Sequence, residues 1–264
     1  MARKLPFPTA RLNGAVPKAI SYDASKCIGC RQCVIACQDW NDLPRVNPFQ
    51  LSSSTWITME PPSSNGTSPF WGRNSCRHCD YPMCATVCPV EAITKYEEGP
   101  VVIDRNLCIG CRYCVYACPW GVISFHESTG KSWKCTMCVD RVSKDLKPFC
   151  VHMCPTGALD FGLRVEVEAK VEARAREVGG HVHGRREAGG TQVLYVLTEA
   201  LEKHGLRSVT EEKYPQAKIP LALKIKGPLT LSAGISGKLR ALRSAVVHPG
   251  RLKYRYWPWR RPEG

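Results

Sequence analysis

Apolar positions along the chain follow two periods. From residue 164 to 178, RVEVEAKVEARAREV, apolar and charged residues recur at helical spacing, and the stretch reads as an amphipathic helix. TQVLYVLT (191–198) is a short apolar run of strand length, and 199–205 reads as a short helix stopped at Gly205. Upstream, CPVEAITKY, CPWGVISFH and CPTGALDFG each read as a helical turn halted by proline and leading into a short alternating strand, while GPVVIDRNLC (99–108) reads as the returning strand of a hairpin. Segment 38–75 is rich in Ser, Pro and Asn, with PPSSNGTSP as an evident loop. It also carries Trp56, Ile57, Met59, Phe70 and Trp71, residues large enough to predict that it packs over the cysteine-bearing part of the chain.

Composition changes the picture. At 264 residues the chain has room for about two domains and can bury cores without help. Yet it holds 16 cysteines beside 20 prolines and 21 glycines, so something other than apolar burial organises much of it. A secreted disulfide scaffold needs an export signal, and MARKLPFPTARLNG has basic residues without an apolar run behind them. The best candidate for a membrane span, Ile219 to Ser236, is broken by Pro220, Lys224, Lys226 and Pro228, so no transmembrane segment is expected.

The sixteen cysteines sort into four groups of four: Cys27, Cys30, Cys33, Cys37; Cys76, Cys79, Cys84, Cys88; Cys108, Cys111, Cys114, Cys118; and Cys135, Cys138, Cys150, Cys154. The first and third have the C-x2-C-x2-C-x3-C spacing of bacterial ferredoxins, and proline follows the last cysteine in every group but the first. Three closely spaced thiolates on a tight loop suit three irons of one cubane. The fourth cysteine points away and, in two-cluster ferredoxins, ligates the other cluster, so the groups are expected to work in pairs and to hold four clusters. CIGCRQCVIAC and CIGCRYCVYAC agree at nine of eleven positions with an offset of 81 residues, an internal duplication. A zinc scaffold is the reading of another class, and group four alone has a passable zinc spacing; Cys33 and Cys114, however, have no task in a zinc ribbon.

Other residues invite weaker readings. No G-x-G-x-x-G follows a strand, and GISGK (234–238) lacks two elements of a phosphate loop, so no catalytic site is expected in this chain. His78 and His152 read as loop or packing residues, His181 and His183 as solvent-facing, and Trp40, Trp120 and Trp133 as shielding beside the cysteine groups. Residues 221–264 carry ten Lys/Arg against Glu263 alone, +9 of the formal +14; this tail is expected to dock on a partner, ahead of an anionic membrane surface, and nucleic acid is not expected.

With these four cysteine groups, the chain resembles the four-cluster iron-sulfur subunits of molybdopterin oxidoreductase complexes, over roughly residues 20–220. CVIACQDWNDLP (33–44) and GHVHGRREAGGTQVLYVLTEALEKHGL (180–206) point toward formate dehydrogenase beta subunits. The resemblance implies an α+β fold of two interleaved ferredoxin-like domains: 20–75 plus 129–163 holding groups one and four, and 76–128 holding groups two and three, followed by a cysteine-free extension, 164–264. It implies four 4Fe-4S clusters with ligand sets Cys27, Cys30, Cys33, Cys154; Cys37, Cys135, Cys138, Cys150; Cys76, Cys79, Cys84, Cys118; and Cys88, Cys108, Cys111, Cys114. Some relatives have tryptophan at the position of Cys111 and a three-iron cluster there; cysteine at this position implies a full cubane. The function implied is electron transfer between a large molybdenum- or tungsten-bis-pterin catalytic subunit and a quinone-reducing or cytochrome membrane subunit, in a complex membrane-associated through its partners, on a side left open. Polysulfide, thiosulfate or dimethyl sulfoxide reductases and nickel-iron hydrogenases are the other partners in view.

Overall fold

The structure is a computed structural model that describes residues 8–12, 16–62 and 69–209. The basic tail, GISGK and the apolar stretch from Ile219 lie outside the described residues. The elements in chain order are β1 (Thr9–Ala10), β2 (Lys18–Asp23), α1 (Gln32–Trp40), β3 (Ile57–Glu60), β4 (Gly72–Ser75), α2 (Met83–Thr86), β5 (Ile93–Tyr96), β6 (Val101–Ile103), α3 (Tyr113–Ala117), β7 (Ser124–His126), β8 (Lys131–Trp133), α4 (Val139–Val142), α5 (Phe149–His152), β9 (Leu159–Leu163), α6 (Arg164–Glu177), β10 (His181–His183) and β11 (Val193–Leu197). Helices and strands are mixed throughout, an α+β fold. No helix among the described residues is long and apolar enough to cross a membrane.

A four-stranded sheet in the order β10-β11-β2-β9 is the backbone of the fold. β11 lies parallel to β2, and the flanking pairs are antiparallel. Because strand side chains alternate between faces, the apolar run VLYVL serves two cores at once. Leu194 and Val196 join Ala19 of β2 and Val167, Val171 and Ala175 of α6 in one cluster. Val193, Tyr195 and Leu197, with Ile20 and Tyr22, face the other way into the large core that contains the cysteines. The helical period of 164–178 is thus realised as α6, whose Val167–Val171–Ala175 stripe covers the sheet while Glu166, Lys170, Arg176 and Glu177 face water.

The cysteine-free extension begins at residue 164, and its described part joins the four-stranded sheet. That part, 164–209, supplies two of the four strands and the helix whose Val167, Val171 and Ala175 pack on Ala19, Leu194 and Val196. Leu201 and Leu206 continue inward, and Gly205 ends the short 3-10 turn Leu201–His204 in a left-handed conformation.

Three smaller units hold the rest: β1-β5-β6, and the hairpins β3-β4 and β7-β8. β5-β6 is the hairpin expected around 99–108. The segment 38–75 folds into β3-β4, a hairpin its loop-rich composition concealed, and Trp56, Ile57 and Met59 are buried. Gln38, buried at the end of α1, donates from Nε2 to Pro44 O, Ser54 O and Thr55 Oγ1, each at 3.4 Å, and so ties this segment to the helix.

Candidate metal centres

Each cysteine group is opened by the same backbone device. The residue two places after the first cysteine is left-handed in all four groups: Gly29 (φ 69°), His78 (φ 50°), Gly110 (φ 70°) and Met137 (φ 58°). Such a residue reverses the chain between two cysteines, so that both thiols face inward. Glycine is required in groups one and three by space as well. A Cβ on Gly29 would lie 2.0 Å from the Trp71 ring, and one on Gly110 would lie 2.2 Å from the Gly130 carbonyl oxygen. The duplication seen in the sequence extends to the helix starts, where Arg31 and Arg112 are both left-handed (φ 57° and 61°) just before α1 and α3. α1 packs against α5, and α2 against α3.

The thiols gather across groups. Cys27, Cys30, Cys33 and Cys154 line one cavity, together with Met59 and Arg73. Cys88, Cys108, Cys111 and Cys114 line another. Cys37 lies within electrostatic reach of Cys135, Cys138 and Cys150, and Cys84 within reach of Cys76, Cys79 and Cys118. Cys30 is exposed, the other three of its set are half-buried, and all four around the second cavity are buried. Among the described residues no group of three or more His, Cys, Asp or Glu is arranged to hold a single metal ion.

Burial pushes the Cys33, Cys79, Cys114 and Cys135 thiols up to about 12, and neighbouring cysteines push in the same direction. Each of these four belongs to a different gathering of cysteines, and thiols so buried fit clusters whose iron cores supply the positive charge that thiolates need.

Donors aimed at sulfur complete the sites. Ala92 N–H donates to Cys88 Sγ (3.2 Å), Met137 N–H to Cys135 Sγ (3.3 Å) and Phe149 N–H to Cys138 Sγ (3.5 Å). Asn41 Nδ2 reaches Cys37 Sγ at 3.7 Å while also donating to the Cys37 carbonyl at 2.8 Å. Trp120, read as shielding from the sequence, also donates its indole N–H to Cys79 Sγ at 3.2 Å. Trp40 instead donates to Asp140 Oδ2 at 2.9 Å, and Trp133 packs against Trp56.

Charge beside the thiols was the feature sequence reasoning missed. Arg73, Arg77, Lys95 and Lys134 are all buried. Arg77 stacks over Tyr195 at 3.8 Å and near Trp120 at 5.2 Å, and burial pulls its guanidinium down to about 9. The Lys95 ammonium donates to His78 O (3.2 Å) and Gly99 O (2.9 Å), and Lys134 to Val101 O and Cys135 O. Arg73 Nε, Arg77 Nε and Arg77 Nη1 have no protein acceptor, orphaned donors that fit an additional acceptor beside the cysteines. These cations lie in strands and loops where sequence spacing gives no sign of which residues turn inward.

The histidines divide. His78 is fully buried; its Nδ1 accepts from Val101 N–H at 2.9 Å, and burial with Lys134 and Lys95 nearby drives its pKa well down, so the ring is neutral. His152 stacks on Phe149. His181 is exposed as expected, but His183 is not solvent-facing: it lies on the inner side of β10, 3.0 Å from Glu187 Oε1 and edge-on to Trp120. The turn after it folds back through Gly184 N–H to Glu187 Oε2 (2.7 Å) and closes over the ring.

Two family models, each described as a 4Fe-4S dicluster domain, match residues 26–92 and 70–164. The chain is 38% identical over 207 residues to the iron-sulfur subunit of the nitrate-inducible formate dehydrogenase of Escherichia coli, covering 70% of each protein. It is 41% identical over 152 residues to the B subunit of the anaerobic dimethyl sulfoxide reductase of E. coli, covering 56% of this protein and 74% of the relative. The formate dehydrogenase iron-sulfur subunit of Haemophilus influenzae is 34% identical over 215 residues, with 74% and 69% covered. Two dicluster domains and sixteen cysteines amount to four 4Fe-4S clusters, which sets aside the zinc scaffold. The chain belongs to the 4Fe-4S iron-sulfur subunits of the molybdopterin oxidoreductases.

Proposed function

We propose that this chain is the electron-transfer subunit of a formate dehydrogenase, carrying single electrons between a molybdenum- or tungsten-pterin catalytic subunit and a quinone-reducing or cytochrome membrane subunit. When bound, 4Fe-4S clusters take up and release one electron each. The chain's own residues space, hold and insulate them. The ligand sets are Cys27, Cys30, Cys33, Cys154; Cys37, Cys135, Cys138, Cys150; Cys76, Cys79, Cys84, Cys118; and Cys88, Cys108, Cys111, Cys114. They imply interleaved ferredoxin-like pairs, 20–75 with 129–163 around 76–128. The observation that carries this reading is the gathering of cysteines from separate groups around shared cavities, three from one group and one from another. Electrons arrive at the Cys27 set, where Cys30 is exposed beside Ile28, 65% exposed, so a partner's centre can approach closely. They leave from the Cys88 set. Attachment to a membrane comes through the partner subunits, and the basic tail docks on one of them.

The test is anaerobic purification from native cells, with identification of co-purifying proteins, iron and sulfide analysis, and EPR. Sixteen irons per chain, a large pterin subunit and EPR signals of this chain that formate reduces are expected. The 41% match to the dimethyl sulfoxide reductase subunit favours a second reading, in which a reductase-type partner draws electrons from the same clusters. A complex whose clusters stay oxidised with formate but, once reduced with dithionite, are reoxidised by dimethyl sulfoxide replaces the first reading by the second.

A further inference from the structure

Arg73 occupies an unusual place. It sits on β4, opposite Met59 of β3, and its carbonyl accepts the Tyr195 hydroxyl at 2.9 Å. Its side chain is 1% exposed and runs inward between two cysteine sets. It lines the cavity of Cys27, Cys30, Cys33 and Cys154, and its Nη2 lies 3.9 Å from Cys150 Sγ of the neighbouring set. Nη1 donates to the Ser75 hydroxyl, and Nε has no protein acceptor. Among the described residues no carboxylate pairs with it; the ionisable groups within its electrostatic reach are the cysteines Cys150, Cys33, Cys135 and Cys37, drawn from both sets.

A guanidinium stays protonated in a protein, and burying it without a counter-charge is strongly unfavourable. Its position is therefore sustained by negative charge on both sides. A cubane with four thiolates carries net negative charge, and each added electron makes it more negative. A fixed positive charge in a poorly screened interior favours that electron.

The Cys88, Cys108, Cys111, Cys114 cavity differs. Arg112 reaches its lining, but its charge is met by Glu127 Oε2 at 2.8 Å, over Phe125 and against solvent. We propose that Arg73 is a potential-setting residue shared by two clusters, those of the Cys27 set and the Cys37 set, raising the reduction potentials of both while leaving the Cys88-set cluster unaffected. The proposal rests on the ligand sets given above. It makes the first two sites of the chain, the Cys27 set with its exposed Cys30 and the buried Cys37 set, an electron-accepting pair for electrons that arrive from a catalytic partner.

The test is an EPR-monitored redox titration of the intact complex, anaerobically, on the natural protein, Arg73→Gln and Arg73→Lys. Each signal is assigned beforehand by serine replacement of one cysteine of its set. In Arg73→Gln the reduced-to-oxidised ratio at fixed potential is expected to fall on the order of tenfold for both the Cys27-set and Cys37-set clusters, with the Cys88-set signal unmoved. Arg73→Lys, which keeps the charge, restores most of the shift. Full iron content with unmoved potentials overturns the proposal, as does a shift confined to one cluster or equal in all of them. Should Arg73→Gln fail to hold iron, Arg73→Lys decides alone: potentials close to the natural ones support a charge effect, whereas a downward move of tenfold or more assigns the role to packing and overturns it. A natural complex lacking four cluster signals counts instead against the proposed function.

Discussion

The two faces of the four-stranded sheet are built from the same strands on different physical principles. Toward α6 the sheet presents Ala19, Leu194 and Val196 against Val167, Val171 and Ala175, an aliphatic contact without sulfur, bordered at the end of β2 by the buried Asp23 and its ion pair with Arg174 at 2.8 Å. Toward the cysteines it presents Ile20, Tyr22 and Tyr195, and there the neighbours include Arg73, Arg77 and the thiols themselves. The first face is held by burial of apolar area, worth about 1.5–3 kcal/mol for each fully buried branched side chain. The second is closed by helices of four and five residues, α2 to α5, which are too short to persist alone and which carry or adjoin the cysteines. One strand residue thus contributes to a core closed by α6, and the next contributes to a core closed around the cysteines.

The largest effect that separates the faces is iron removal. Oxidative loss of iron under a chelator, followed by hydrogen exchange with mass spectrometry, is expected to strip protection from 27–40, 76–90, 108–120 and 135–154 while β11 and α6 keep theirs. If β11 and α6 open together with the cysteine loops, the aliphatic face has no stability of its own.

A smaller effect should appear on the other side. Leu194 is wholly buried against α6, so Leu194→Ala is expected to cost about 2–5 kcal/mol. It is read as accelerated exchange in β11 and α6, with iron content unchanged. Iron loss on this substitution would mean that the clusters depend on the aliphatic face, and that the two cores are one.

The same division explains what was legible in the sequence. Cysteine spacing, the αL glycines Gly29 and Gly110, and the periodic stretch that became α6 are local signals, and each is a direct consequence of chemistry within a few residues. The strand character of VLYVL was legible too, but its two-faced use was not, since burial on both sides follows from the partner β2 about 170 residues away in the sequence. The buried cations were hidden for a related reason. Arg73 and Arg77 belong to a segment of polar residues, GRNSCRHC, that looks solvent-exposed by composition, and only the closing of β3-β4 and β11 over it turns them inward. His183 was misread because the return of Glu187 onto β10 is a tertiary contact made by a turn.

The smallest of these effects concerns the strut joining the two faces. Asp80, four residues after Cys76 and one after Cys79, receives two hydrogen bonds from Arg164 Nη1 at the start of α6, at 2.8 and 2.9 Å, and another from Gln192 Nε2. Lys95 Nζ lies 3.8 Å away, and Asp80 N–H donates to Gly190 O at 2.9 Å. Burial works against the Arg164 charge, yet Asp80 and Glu168 outweigh it and its pKa rises. Burial brings Lys95 down to about 8 even with Asp80 beside it. Asp80→Asn keeps the shape and removes the charge that serves both cations. Partly buried groups left with weaker partners cost about 1–3 kcal/mol, so the expected loss is below that of Leu194→Ala. Because the strut touches both faces, exchange should rise at the start of α6 and in the loop around Cys79 together, whereas Leu194→Ala moves the α6 side alone. Exchange rising on one side only would show that Asp80 belongs to that side, and that the faces meet through the sheet and not through this carboxylate.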